Sequence, residues 1–248
     1  MLELPQIESV LTSNPFNVYY GIERISLALG FGIKRIRRVV NKFKIKLPHK
    51  ALKKNIKRRD QKKDSSNYPN LVASRCPIVP NYIYGSDFTY IRFKNIFIYL
   101  AVIFDLFTKE VIGFKISRYH NSNLVLEALE EAVIYYPIPE IMHSDQGSEY
   151  LSKVYTNTLK NLNILISNSD KGSPWQNGYV ESYFGKFKEE LGDINKFNSL
   201  GEVIEYIYHK IYYYNNERIH TTLKMPPVKF KQLFFQKRKH FLFNDLTP

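Results

Sequence analysis

The chain has 248 residues, 44% of them hydrophobic, enough for one domain of ordinary size with a small companion and a true apolar core. A single cysteine, Cys76, excludes an internal disulfide and a Cys-rich zinc site and suits a reducing cytoplasm. The net charge of +13 is concentrated: 15 of the 36 Lys and Arg lie between residues 31 and 63, where Asp60 is the single acid, so the remainder is close to neutral. An arm of that kind favours a polyanion, because neutralising phosphates releases their condensed counterions. An anionic membrane is a weaker match, since no strongly apolar helix face accompanies the densest part of the arm. The longest apolar run, IFIYLAVIF at 96–104, falls far short of the roughly 20 residues that span a bilayer and reads as a buried strand. MLELPQIES has neither a basic start nor an apolar signal core, so no export signal is expected.

In GIERISLALGFGIKRIRRVVNKFKIK, Ile22, Ile25 and Leu29 share one helical face, and Ile33, Ile36, Val40 and Phe43 share another, with Gly30-Phe31-Gly32 between. Two short helices joined by a glycine turn fit a helix-turn-helix and equally a plain helical hairpin. The basic second helix, with Lys34, Arg35, Arg37 and Arg38, favours DNA. The basic, then polar, Pro-interrupted stretch that follows reads as a linker.

From residue 81 the texture changes. YIYGSDFTYIR, IFIYLAVIF and EVIGFKISR predict three consecutive strands with turns at 93–95 and 105–109. A helix follows over SNLVLEALEEAVIYYP, with Val125, Ala128, Leu129, Ala132, Val133 and Tyr136 on one face. A short strand (EIMHS), a helix (EYLSKVYTNTLKNL) and a strand (ILISNS) come next. KGSPWQNGYVESYFGKFKEEL predicts a helix with Ser173 at its cap, Pro174 first and Gln176 closing a capping box. Ser199 and Glu202 form a second box, ahead of a stripe of Ile204, Ile207, Tyr208 and Ile211.

Three acids occupy distinguishable places: Asp87 within the first strand, Asp145 at the end of the fourth, and Glu181 on the helix of WQNGYVES, with 35 residues between the last two. Each taken alone is an ordinary turn, cap or surface residue, and Asp105, Glu149 and Asp170 compete with them. Phosphoryl transfer on nucleic acid asks the protein for little covalent work. It needs an oxygen nucleophile, a leaving oxygen in line, and hard cations held by a few carboxylates from separate elements. The combination of strand, strand end and helix with a polyanion-binding arm upstream raises these three above their competitors.

The motifs GSDFTYI, IYLAVIFDLFTKEVIGF, HSDQGSEY, KGSPWQNGYVESYFGKFKEEL and YYNNERIHTTLKMPPVKF, in that order over residues 81 to 231, resemble those of bacterial insertion-sequence transposases with a D, D, 35, E acid triad. The nearest group is the downstream-frame product of the insertion sequence three type, whose core is similar to that of retroviral integrases. The resemblance implies an α/β fold with a ribonuclease-H-like core: a five-stranded mixed sheet, its first three strands antiparallel, flanked by helices. A small α-helical N-terminal DNA-binding domain precedes it. The division expected is residues 1–47 for the helix-turn-helix region, 48–80 for the basic linker, 81–231 for the integrase-type core and 232–248 for a tail.

By the same resemblance Asp87, Asp145 and Glu181 bind Mg2+, with Mn2+ as a substitute, and catalyse cleavage and strand transfer at element ends. Lys188 matches the family's basic residue seven positions past the glutamate. That spacing is close to two helical turns, which puts it on the face of Glu181. Trp175, Gln176 and Asn177 fall in a segment that the family places near DNA, although Trp175 serves equally well as a core anchor. The implied partners are DNA, further copies of the chain assembled on DNA, and an upstream-frame protein, with no membrane. The implied location is the bacterial cytoplasm and nucleoid. Tyr84 stands where many relatives have tryptophan, and the zinc-binding His and Cys motif of retroviral integrases is absent. A binding-only repressor of element ends and a ribonuclease-H-like nuclease are the competing expectations.

Overall fold

In a computed structural model the described residues are 3–48, 68–170 and 174–244. Most of the expected linker, residues 49–67, and the expected cap Ser173 lie outside them. The chain divides into two compact units, one of residues 59–207 and one of the residues up to 58 together with those from 208 onward.

The N-terminal part begins with a helix that the sequence pattern did not indicate, α1 (Glu3–Thr12). α2 (Ile22–Leu29) and α3 (Ile33–Lys42) follow, joined by the expected glycine turn. Gly30 ends α2 with φ of 68°, a left-handed value that a side chain would resist. α3 buries Ile36, Val39 and Val40, and it exposes Ile33 and Phe43, which had been expected on the inner face. Val39 takes the inner position because the buried stripe runs through the middle of the helix and its two ends stand in solvent.

The sheet is built as the motifs implied. β1 (Ile83–Phe93), β2 (Ile96–Asp105) and β3 (Val111–Ser117) form an antiparallel meander. α4 (Ser122–Tyr135) is capped by Asn121, whose side chain accepts from the Leu124 amide, and it buries Leu124, Val125, Ala128, Leu129 and Ala132. β4 (Ile141–Ser144) then lies parallel to β1, and β5 (Leu165–Asn168) parallel to β4, giving the order β3-β2-β1-β4-β5. Between them α5 (Lys153–Asn161) starts after the Ser152 cap, four residues later than the sequence suggested, because Gly147 to Ser152 turn first. One face of the sheet carries α4. There Gly113 is required, since a Cβ would lie 2.5 Å from the Ala128 carbonyl oxygen.

The other face carries α6 (Gly178–Leu191), seated by the Tyr183 ring 4.6 Å from Phe104. A single 3-10 turn, Pro174–Asn177, precedes α6. Gln176 is engaged elsewhere: its Oε1 accepts from the Asp170 amide (2.6 Å) and from Asn70 (2.8 Å), and its Nε2 donates to Asp170 (2.9 Å).

α7 (Leu200–Asn216) has the predicted box, with the Ser199 hydroxyl accepting from the Glu202 amide. Its buried stripe is Val203, Ile207, Ile211 and Tyr214; the expected member Tyr208 is exposed. α8 (Pro227–Asn244) runs into the segment expected as a tail from residue 232. Residues from 208 onward belong to the same compact unit as the N-terminal helices. Tyr213 donates to Asn17 (2.6 Å), and the Ile219 amide donates to the Tyr20 hydroxyl (3.0 Å).

Candidate active site

β1 and β4 run parallel and pair only from Ile83 with Ile141 to Gly85 with His143. Asp87 and Asp145 each follow the last of these pairs by two residues. The alternation of strand side chains therefore points both to the face of Gly85. A Cβ on Gly85 would meet Leu106 at 2.8 Å and Val180 of α6 at 3.4 Å, so that face is the one α6 covers, and Val180 immediately precedes Glu181. The chain reverses strand direction at β1, with the antiparallel β2 on one side and the parallel β4 on the other. The carboxyl ends of strands at such a switch point open a crevice.

The two aspartates are held firmly. Asp145 sits past the end of β4, its Oδ1 accepting from the Gly147 amide (2.9 Å). Asn168 at the end of β5 donates to the Asp145 carbonyl (2.8 Å) and to Ser144 (3.1 Å). Asp87 accepts from the Phe88 amide (2.8 Å). Its neighbour Ser86 is fully buried and bonded to the Tyr150 hydroxyl (2.9 Å). His143 is buried, its Nδ1 2.9 Å from Ser167 Oγ, and burial lowers its pKa to about 4, so it stays neutral.

The acids sense one another's charge. Burial, and then the charge of Asp145, push the Asp87 carboxyl up to about 7, with Glu181 adding in the same direction and Lys188 opposing. Asp145 is raised by burial, and Glu181 by burial and by Asp145. Glu181 and Lys188 are exposed, and the Lys188 ammonium stands 4.3 Å from the centre of the Tyr90 ring. Among the described residues no three His, Cys, Asp or Glu side chains are already gathered at ion-holding distance. The donors are nevertheless of the hard-oxygen type that Mg2+ takes, and their mutual repulsion is what a cation relieves.

The competing acids are otherwise occupied. Asp105 accepts from the amides of Asn81, Phe107 and Thr108 and serves the turn after β2. Asp170 holds Gln176. Burial pushes Glu149 up, but its hydrogen bonds to His120 (3.0 Å), to a backbone amide and to Ser148, with the charge of His120, together outweigh this and hold it below the usual range.

The remaining sequence candidates divide. Asn177, expected to face DNA, is instead 5% exposed and donates to the Ser86 carbonyl (3.3 Å), tying α6 to β1 beside Asp87. The Trp175 side chain lies outside the described residues. Tyr84, in the place of the family's tryptophan, is a buried core residue whose hydroxyl donates to the Pro137 carbonyl (2.8 Å). On α3, Lys34, Arg35, Arg37 and Arg38 are all exposed, and Arg35 is paired with Glu3 and lies 4.2 Å from the Phe31 ring centre. Sequence reasoning did not find Ser86, Tyr150, Asn168 or the Asn70-Gln176-Asp170 cluster. Nothing in a single chain marks these polar residues as partners across elements.

Residues 79–174 and 162–227 match two integrase core domain families. The chain is 34% identical to the transposase of insertion sequence element IS904 from Lactococcus lactis, over 66% of each chain. It is 33% identical to a transposase-like protein of Haemophilus influenzae, over 61% of this chain and 71% of that one. The first curated relatives are matched over 53% to 66% of their own length. The catalytic core domain of HTLV-2 integrase in complex with magnesium is similar in fold, with a TM-score of 0.52 and 19% identity, covering 62% of this chain and 98% of that core. With its ordered motifs and mixed sheet, this chain belongs to the bacterial insertion-sequence transposases of the DDE type.

Proposed function

We propose that the chain is a divalent-metal-dependent DNA transposase that cleaves element ends and joins them to new DNA. The observation that carries this reading is the matched placement of Asp87 and Asp145, each two residues past the last pair of the adjacent parallel strands β1 and β4, on the face covered by the helix that bears Glu181. Asp87 and Asp145 would hold Mg2+ or Mn2+ on the sheet side, and Glu181 would complete the set by turning its exposed side chain inward. The bound ions would polarise the scissile phosphate and lower the pKa of the attacking oxygen. Lys188 would meet a phosphate oxygen beside the acids.

No covalent enzyme intermediate is needed. Water cuts the phosphodiester and leaves a 3′ hydroxyl, and that hydroxyl then attacks a phosphate of the target strand and displaces its 3′ oxygen. The magnesium bound by the similar HTLV-2 core supports the choice of ion. The exposed Lys34, Arg37 and Arg38 on α3 would bind DNA ahead of the core. Copies of the chain assembled on DNA and an upstream-frame protein are the proposed partners. Among the described residues no helix is long and apolar enough to cross a membrane, and the proposed location is the cytoplasm and nucleoid. The test is strand cleavage and joining on element-end DNA with magnesium: Asp145→Asn and Glu181→Gln should abolish both steps, and wild-type rates in either variant would overturn the reading.

A further inference from the structure

The face of the sheet opposite the acids is only half covered. α4 packs over Ala101 and Ile103 of β2, and Phe88 and Tyr99 lie at the margin of that core. Past them the β1/β2 hairpin continues uncovered. In the antiparallel register Tyr90 pairs with Tyr99 and Arg92 with Phe97, so these four side chains share one face. Tyr90 is 58% exposed and Phe97 48% exposed, their rings edge to face with centroids 5.7 Å apart. Arg92 is exposed beside them, and the Lys188 ammonium sits 4.3 Å from the Tyr90 centroid. Among the described residues β1 has no second ladder beyond Gly85, so the platform begins three residues from Asp87 on an open strand.

Large aromatic rings left in water on a pleated surface lose the apolar burial available to them, and cations next to them mark out an anionic partner. Bases have π-faces that stack on exposed rings, and flanking cations follow the backbone phosphates. Duplex DNA offers only its sugar-phosphate exterior to an exposed edge-to-face ring pair. A strand with unpaired bases offers both chemistries at once.

We propose that Tyr90 and Phe97, with Arg92 and Lys188 at their margin, form a stacking site for unpaired bases of DNA on the sheet face opposite the acids, three residues along β1 from Asp87. This rests on the reading of the acid site as one that acts on DNA, because it takes the strand leaving that site as its ligand. Such a site lets a few base pairs at an element end open and keeps them open during attack.

The experiment uses the full chain without divalent metal, so that binding is read apart from cleavage. The probes are fluorescent oligodeoxythymidylate of about 20 nucleotides and a blunt duplex of equal length. The variant Y90A/F97A should bind the single strand roughly tenfold or more weakly and the duplex nearly as before. Tyr90→Phe, which keeps the ring, should bind like the parent. Photo-crosslinking of iodouracil-substituted single strand to the parent protein should label Tyr90 or Phe97, which tests the site independently of how the variant folds. The proposal is overturned by unchanged single-strand affinity, by equal losses on both probes, or by labelling confined to other residues. It is also overturned if Y90A/F97A changes sedimentation from an oligomer to a monomer while binding stays intact, which would make this face a contact between copies. If the acids prove inert in strand cleavage, these binding results stand unaffected.

Discussion

The acid set is assembled from two unlike halves. Asp87 and Asp145 stand on the sheet, half-buried, each with an amide bonded to its carboxylate and with Asn168 holding the backbone of the second. Glu181 and Lys188 stand on α6, exposed, with Tyr90 beside the lysine. The sheet half is set in place by folding and carries the electrostatic cost, since burial and mutual charge lift Asp87 to about 7. The helix half bears little of that cost and is free to adjust. A site with one fixed side and one adaptable side suits an enzyme that must first accept a cation and then a long polymer.

The largest effects should come from the fixed half. Asp87→Asn should lower cleavage and joining by roughly a thousandfold or more, because a hard-oxygen ligand is lost. It should leave the fold at least as stable near neutral pH, since a strained charge is removed at the same time. The sign follows from linkage. The Asp87 carboxyl ordinarily titrates at 3.8 and here at about 7, so between those values the folded chain keeps a proton that the unfolded chain has released. Stability from this group is therefore full below the ordinary value and declines as pH rises through that interval. Thermal melting in chelator should fall from about pH 5 to about pH 8 more steeply in the parent than in Asp87→Asn, and magnesium should raise the melting point at about pH 8 and hardly at all at about pH 5. A parent and variant with parallel pH profiles would show that the two halves are not built differently.

Next in size is the support of the sheet half. Asn168→Ala should cost about 1–3 kcal/mol in denaturant unfolding and lower turnover about tenfold, because the part-buried carbonyl of Asp145 loses this donor. An unchanged turnover with the full stability loss would mean that Asp145 is held by its own turn alone.

The same division separates what the chain reveals by reading from what it conceals. The strands, their turns and α4 follow from local periodicity, and the acid positions follow from motifs whose residues lie close together along the chain. Both halves of the site are therefore legible as residue types. Their difference in burial is not, because it depends on where β4 stops relative to β1 and on polar contacts such as Ser86 to Tyr150, which span 64 positions. Asn177 looks like a surface residue in sequence and is buried for the same reason, its acceptor being the backbone of Ser86, 91 positions away. The helix stripes were misjudged in part. Ile33 and Phe43 fit the helical period but stand in solvent at the two ends of α3, whereas Tyr208 lies midway along α7 on its exposed side, with the buried positions taken by Ile207, Ile211 and Tyr214.

The smallest expected effect belongs to the adaptable half. Lys188 is exposed, and its charge lies between the Tyr90 ring and the field of Asp87. Exposed cations act on DNA mainly through counterion release, so Lys188→Ala should weaken element-end binding only several-fold at low salt and reduce the slope of log affinity against log salt by about one. Lys188→Arg should restore both. Y90A/F97A should lower single-strand affinity with the salt slope unchanged, because stacking releases no ions. If Lys188→Ala leaves the slope intact and still slows strand transfer, the lysine acts on the acids and not on a phosphate. The helix would then belong with the fixed half of the site.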